Sequence, residues 1–210
     1  MKQFNQILLI MMMGIIIITI PNCRGEIIPS DDDLKSYGWV MYEEGDFSEA
    51  LSWFTQAYKK DSLQLDAYNG IGWSMGHLRQ PDSSVYYFKK YASFSDTSKD
   101  VYAGLAFAFN ALGENDSCRN YANIFIGKQN LILNPGWVFS HNTKFDYLDV
   151  FLIKAVSEFR LALFSATQET INDIYSFRGS STVVDVDYST VQGRAELSSH
   201  LVSLQALLAN

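Results

Sequence analysis

The residues of this 210-residue chain best suited to metal or nucleophilic chemistry are His77, His141, His200, Cys23 and Cys118. Their spacing supports neither. No two histidines form a metal-binding pair on one helix, and two cysteines supply neither a four-ligand zinc site nor a disulfide framework. No Gly-rich phosphate loop follows a strand pattern, and no Gly-x-Ser-x-Gly turn occurs. No catalytic residue, metal or cofactor is therefore expected. What recurs is recognition chemistry. Trp39, Trp73 and Phe107 stand 34 residues apart, and Asp32, Asp66 and Asp100 keep the same interval. Tyr42 and Asn110 each lie three residues beyond a member of the aromatic series, and His77 lies four beyond Trp73. Aromatic side chains are typical interface anchors, and a carboxylate rim favours basic partners. A second reading also stands. The aromatics could pack between helices, and the aspartates could cap helices or meet their dipoles.

The interval belongs to a longer pattern. With Asp31 as position 1, Leu34, Tyr37, Gly38, Met41, Phe47, Ala50, Phe54 and Ala57 form the first copy. Tyr68, Ile71, Gly72, Met75 and Phe88 repeat it without a gap, as do Tyr102, Leu105, Ala106 and Phe109. Within each copy, apolar or small residues at i, i+3, i+4 and i+7 predict an amphipathic helix, and a turn with a second helix follows. Ser48, Asp82 and Asp116 at position 18 are expected as N-caps of the second helices.

This arrangement resembles the tetratricopeptide repeat (TPR), a helical hairpin with small residues at positions 8, 20 and 27 and large apolar ones at 4, 7, 11, 17 and 24. The resemblance implies an all-α, TPR-type α-solenoid of stacked hairpins at 31–64, 65–98 and 99–132. Each hairpin leaves an apolar face that only a neighbour can bury. It also implies a concave groove lined by the first helices. Trp39, Tyr42, Trp73, His77, Phe107 and Asn110, with Asp32, Asp66 and Asp100, would face a partner peptide or protein there. Of the Lys and Asn pattern that clamps a terminal carboxylate in one TPR subtype, only Lys35 is present, so that mode is not expected. Cys118 takes a position kept for a small buried residue.

The phase breaks at 133–147, where Pro135, Gly136, His141 and Asn142 predict an inserted loop. Residues 148–181 read as a degenerate TPR-like hairpin, with helices at Leu148–Leu163 and Thr167–Phe177. Lys154 and Glu158 fall there on positions that the repeat gives to large apolar residues. Residues 182–210 read as an extended segment with Thr182, Val184, Val186 and Tyr188 on one face, then a capping helix. Ser189 with Gln192, or Thr190, would start that helix, and Leu197, Leu201, Leu204 and Leu208 would form its buried face.

The N-terminus carries Lys2 and an uncharged apolar run from Ile7 to Ile20. It is too short for a usual membrane span and has the length of a signal-peptide core. Residues 1–22 are read as a signal peptide and 23–30 as a tether. Cys23 resembles the lipidation site of bacterial lipoproteins, although Ile20-Pro21-Asn22 departs from the usual small residue before that cysteine. Export to the cell envelope, with membrane attachment by a lipid anchor or an uncleaved signal, is the expectation. A net charge of -7 argues against nucleic-acid binding. The leading function is an envelope protein-binding scaffold rather than an enzyme. The alternatives are a glycan- or small-ligand-binding module stacking on Trp39, Trp73, Trp137 and Tyr42, and an enzyme with its site in the 134–147 loop.

Overall fold

The computed structural model describes residues 28–94, 98–129 and 136–208. The signal segment, Cys23 and the first part of the tether lie outside these residues. Nine α-helices stand among the described residues. They pair as α1 (Asp31–Glu44) with α2 (Phe47–Lys60), α3 (Leu65–His77) with α4 (Pro81–Phe94), and α5 (Lys99–Leu112) with α6 (Asn115–Gln129). A fourth pair is α7 (Tyr147–Arg160) with α8 (Phe164–Phe177), and α9 (Val191–Leu208) packs on both of its helices. The all-α solenoid expected from the period is the observed architecture. Among the described residues, no helix is long and apolar enough to cross a membrane.

Local chemistry sets the hairpin ends. Ser30 and Asp33 form a reciprocal capping box at the start of α1. Each first helix is followed by a left-handed residue at the same place in the repeat: Gly45, Arg79, Gly113 and, in the fourth pair, Ala162. The second helices begin earlier than position 18. Asp46, not Ser48, caps α2, because its side chain reaches the Glu49 amide. Helices α4 and α6 begin at Pro81 and Asn115, which leaves Asp82 and Asp116 in their first turns. There they meet the helix dipole rather than cap it.

Adjacent hairpins are spaced by rings set against glycines. A Cβ added at Gly38 or Gly70 would lie 2.6 or 2.4 Å from the ring of Phe54. At Gly72 or Gly104 it would lie 2.6 or 2.3 Å from the ring of Phe88. Each ring therefore bears on its own hairpin and on the next, fully buried. Such burial contributes about 3 kcal/mol per phenylalanine. First helices touch one another along the stack and second helices do not, so the first helices line the inner, concave face.

The last pair differs. Its core of Leu148, Phe151, Ala155, Ile171, Ile174, Leu197 and Leu204 is separate from that of the first three hairpins. At its junction with α6, the buried Glu158 accepts from Lys154 Nζ (2.9 Å), Arg119 Nε (3.3 Å) and Thr170 Oγ1 (2.8 Å). The two charges that break the repeat pattern thus satisfy each other inside the molecule. The second helix begins at Phe164, three residues before the expected Thr167. Residues 182–187 form no helix and join no sheet, and Tyr188 enters a turn, its N–H donating to Val186 O (3.0 Å). Asn172 exchanges two hydrogen bonds with the Val184 backbone (2.7 and 2.9 Å), and Val186 N–H donates to Gln168 Oε1 (2.9 Å). Val184 is buried, whereas Thr182 and Tyr188 are exposed, so the expected four-residue face is only partly realised. Thr190, rather than Ser189, caps α9 by accepting from Gly193 N–H.

Candidate functional site

The insert does not project into solvent. From Gly136 onward it runs back along the inner face of hairpins 1 to 3. It folds on itself, with Phe139 N–H donating to Phe145 O (2.9 Å) and Tyr147 N–H to Trp137 O (3.0 Å). Alternate residues of its first arm, Trp137, Phe139 and His141, turn toward the helices, while Val138 is exposed. This is strand-like alternation with one apolar side.

The aromatic ladder meets these side chains ring by ring. His141 stacks on Trp39 with ring centroids 3.7 Å apart, and Phe139 stacks on Trp73 at 4.2 Å. Phe139 also touches the edge of Tyr42 (6.0 Å), and Phe145 lies 5.3 Å from Phe107 and 6.0 Å from His77. His141 Nδ1 pairs with Glu43 Oε1 at 2.7 Å. Consequently Trp39, Tyr42 and Trp73 are only 5%, 2% and 5% exposed. Phe107, Asn110 and His77 remain half-buried. The expected groove residues do converge, but the chain itself covers the central ones.

The aspartates divide. Asp66 accepts from Trp39 Nε1 (2.9 Å), so an indole of hairpin 1 is tied to the start of hairpin 2. By repetition Trp73 would bond to Asp100. Instead Asp100 accepts from Trp137 Nε1 of the insert at 2.7 Å. The buried Trp73 Nε1 finds no acceptor among the described residues. Burial pushes the Asp100 carboxyl above the ordinary carboxylate value, against the opposing Trp137 hydrogen bond. Asp32 stays at the exposed rim and bonds to Lys35 and Gln64. It takes no part in the ladder.

Two further groups are tuned by burial. His77 stacks on Phe47 (3.9 Å), and desolvation lowers its pKa. The phenol of Tyr42 is driven upward by desolvation, and its hydroxyl has no partner among the described residues. Cys118 is buried and free, and burial raises its thiol pKa, in keeping with a packing role. Among the described residues, no three His, Cys, Asp or Glu side chains converge as a metal site.

Comparison with known proteins is informative through shape alone. No protein-family model and no curated protein sequence matches the chain. Solved structures do. MamA (residues 41 to the end) of Desulfovibrio magneticus RS-1 superimposes with a TM-score of 0.58 at 12% identity, over 73% of this chain and 78% of that one. A thermophilic TPR protein of Thermus thermophilus gives 0.55 at 13% identity, over 85% and 90%. A tetratricopeptide repeat protein of Parabacteroides merdae ATCC 43184 gives 0.56 at 12%, over 84% of this chain and 60% of that one. The fold is a tetratricopeptide solenoid.

In this TPR solenoid, sequence reasoning located the inner face but missed its occupant. It left out Trp137 and Phe139 as groove contacts, Phe145 as a wall, and Gly76. The alternation of Trp137, Phe139 and His141 is a period-two signal for an extended arm with one apolar side. Gly76 sits at position 12, where hairpins 1 and 3 carry Tyr42 and Asn110.

Proposed function

We propose that this chain is a protein-binding scaffold of the bacterial cell envelope. It is exported by residues 1–22, attached at Cys23, and engages a partner peptide or protein on the inner face of its TPR hairpins. The observation carrying this reading is the seating of residues 137–141. An extended arm with rings at alternate positions fits the ladder of first helices, which is the geometry an extended partner segment needs. The insert covers Trp39 of hairpin 1 and Trp73 of hairpin 2 and reaches Asp100 and Phe107 of hairpin 3, so the partner surface is composite. It consists of the insert's outer side together with the open inner face around His77, Phe107 and Asn110. The burial of Trp39, Trp73, Trp137 and Tyr42 disfavours the alternative of glycan stacking on those rings. The engagement of His141 by Glu43 and Trp39 likewise disfavours an enzymatic site in the insert.

Affinity capture from native envelopes tests the surface. Asn110→Arg on the inner face is expected to reduce partner recovery at least about tenfold. Tyr86→Ala on the outer face, where Tyr86 is 61% exposed, should leave recovery unchanged. The reverse pattern, with both proteins folded, would place the partner on the outer face and overturn the proposal. Cys23→Ala should shift the protein to the soluble fraction, and unchanged membrane retention would replace the lipid anchor with an uncleaved signal.

A further inference from the structure

Hairpin 2 departs from its neighbours at positions that meet in one place. Position 12 is Gly76 instead of Tyr42 or Asn110, and position 15 is Arg79 instead of Gly45 or Gly113. Both residues line a cavity of about 410 Å³ between α3, α4 and α5, walled by Trp73, Phe88, Phe107 and Phe145. The insert supplies the last of these walls.

The two departures do not follow from packing. Gly38, Gly70, Gly72 and Gly104 are required because a Cβ would strike Phe54 or Phe88. A Cβ at Gly76 would meet only Ser84 Oγ, at an ordinary 3.6 Å, and its φ is not in the left-handed region. Glycine is the poorest helix former after proline, so a helical position with room for a side chain normally carries one. Here its effect is to leave the space beside the Trp73 and Phe107 rings open. Arg79 is held at φ 58, a conformation that favours glycine and that hairpins 1 and 3 fill with glycine. Its side chain is exposed at the cavity and makes no ion pair among the described residues. The histidine of the lining, His77, is kept toward its neutral form by burial, so Arg79 is the permanent cation of this site.

We propose that this cavity is a binding site for a small organic anion, with an aromatic or branched apolar body between the rings and a carboxylate on Arg79. The volume lies in the lower part of the range of about 300–1,000 Å³ usual for small-molecule pockets and exceeds the needs of one inserted side chain. Four aromatic walls suit a flat body, and the guanidinium, without an ion pair among the described residues and in a chain of net charge -7, selects an acidic head. The site shares His77 and Phe107 with the proposed partner surface but includes neither Asn110 nor the insert's outer side, so Asn110→Arg tests the partner surface and Arg79→Gln the anion site.

The test is an NMR titration of the folded protein with 4-phenylbutyrate and, in parallel, 4-phenyl-1-butanol. The acid should bind with shifts centred on Trp73 and Phe107, and the alcohol at least about tenfold more weakly, the usual cost of losing a charged hydrogen bond. Arg79→Gln should bring the acid down to the level of the alcohol. Gly76→Leu, which fills the cavity, should abolish both, while Gly76→Ala keeps measurable binding and controls for folding. No binding by the unaltered protein overturns the proposal, as do equal affinities for acid and alcohol, or undiminished binding in Gly76→Leu. Loss of a captured protein partner in Gly76→Leu, with no anion bound by the unaltered chain, would assign the cavity to a partner side chain instead.

Discussion

The junction between hairpins 2 and 3 and the junction between hairpin 3 and the last pair do the same job with opposite chemistry. In the first, the Phe88 ring is set against Gly72 and Gly104, and contact distance alone fixes the helix spacing. In the second, Arg119 of α6 reaches a carboxylate that is 1% exposed, shared with Lys154 and Thr170. Steric joints repeat because they need only one large and two small residues at fixed positions. An ionic joint is particular to its place, since every buried lone pair and proton must find a partner. The regular part of the molecule is therefore built from shape, and the irregular part from satisfied charge.

Substitutions can break this contrast. The largest effect is expected from Gly104→Val, whose Cβ would lie 2.3 Å from the Phe88 ring. It should cost at least about 3 kcal/mol, the upper end of overpacking penalties, in urea unfolding. Next is Glu158→Gln. Breaking a fully buried pair costs about 3–5 kcal/mol, but Arg119 is 39% exposed and can turn to water, so about 2 kcal/mol is expected. A Glu158→Leu, Lys154→Met double variant should recover part of that loss, which a steric joint could not do. Trp137→Phe keeps a ring over Phe125 but leaves Asp100 without its indole donor. A loss of about 1–2 kcal/mol is expected, with increased proteolysis confined to the insert.

The smallest effects are read from pH and differ in sign between the two regions. Burial lowers the pKa of His77, so the unfolded chain binds the extra proton first. Its contribution is complete above about 6.5 and declines as pH falls below that value. Burial raises the Asp149 carboxyl from 3.8 to about 6, so there the folded chain holds the extra proton, and acidification from 6 toward 4 favours the fold. Asp149→Asn, which keeps an acceptor for the Asp146 amide, should raise the melting temperature by a few degrees at pH 7 and by nothing near pH 4. His77→Gln should remove the acid-side loss assigned to hairpin 2.

The first three hairpins were legible because their signal is local and periodic. Tyr37, Gly38 and Met41 recur at 34-residue intervals as Ile71, Gly72 and Met75, with helical spacing inside each copy. Helix starts were less legible, because Asp46 and Ser48 compete for one turn and geometry decides for Asp46. The groove was half legible. Position gave Trp39 and Trp73 a common face, but what covers them depends on the Trp137–Asp100 bond, across 37 residues of chain. Such a pairing leaves no periodic trace. Lys154 and Glu158 showed only as misfits to the repeat. Their meaning needed Arg119, which lies on a different hairpin.

The steric joints also carry a counting rule. Phe54 and Phe88 occupy position 24 of hairpins 1 and 2, and at the same position hairpin 3 has Ala122. Hairpin 2 is thus bounded on both sides by the same coupling, like a railway wagon with matching ends. A second copy of residues 65–98 placed after the first would present Phe88 to Gly70 of the copy, as Phe54 is presented to Gly70 now. The scaffold would lengthen by one unit without altering either terminus. Hairpin 3 ends the run of like couplings, because with alanine in place of the ring its far end is joined to the last pair by Arg119 and Glu158 instead. Beyond it the chain is released from the period, and from Gly136 it lies along the inner face of the hairpins.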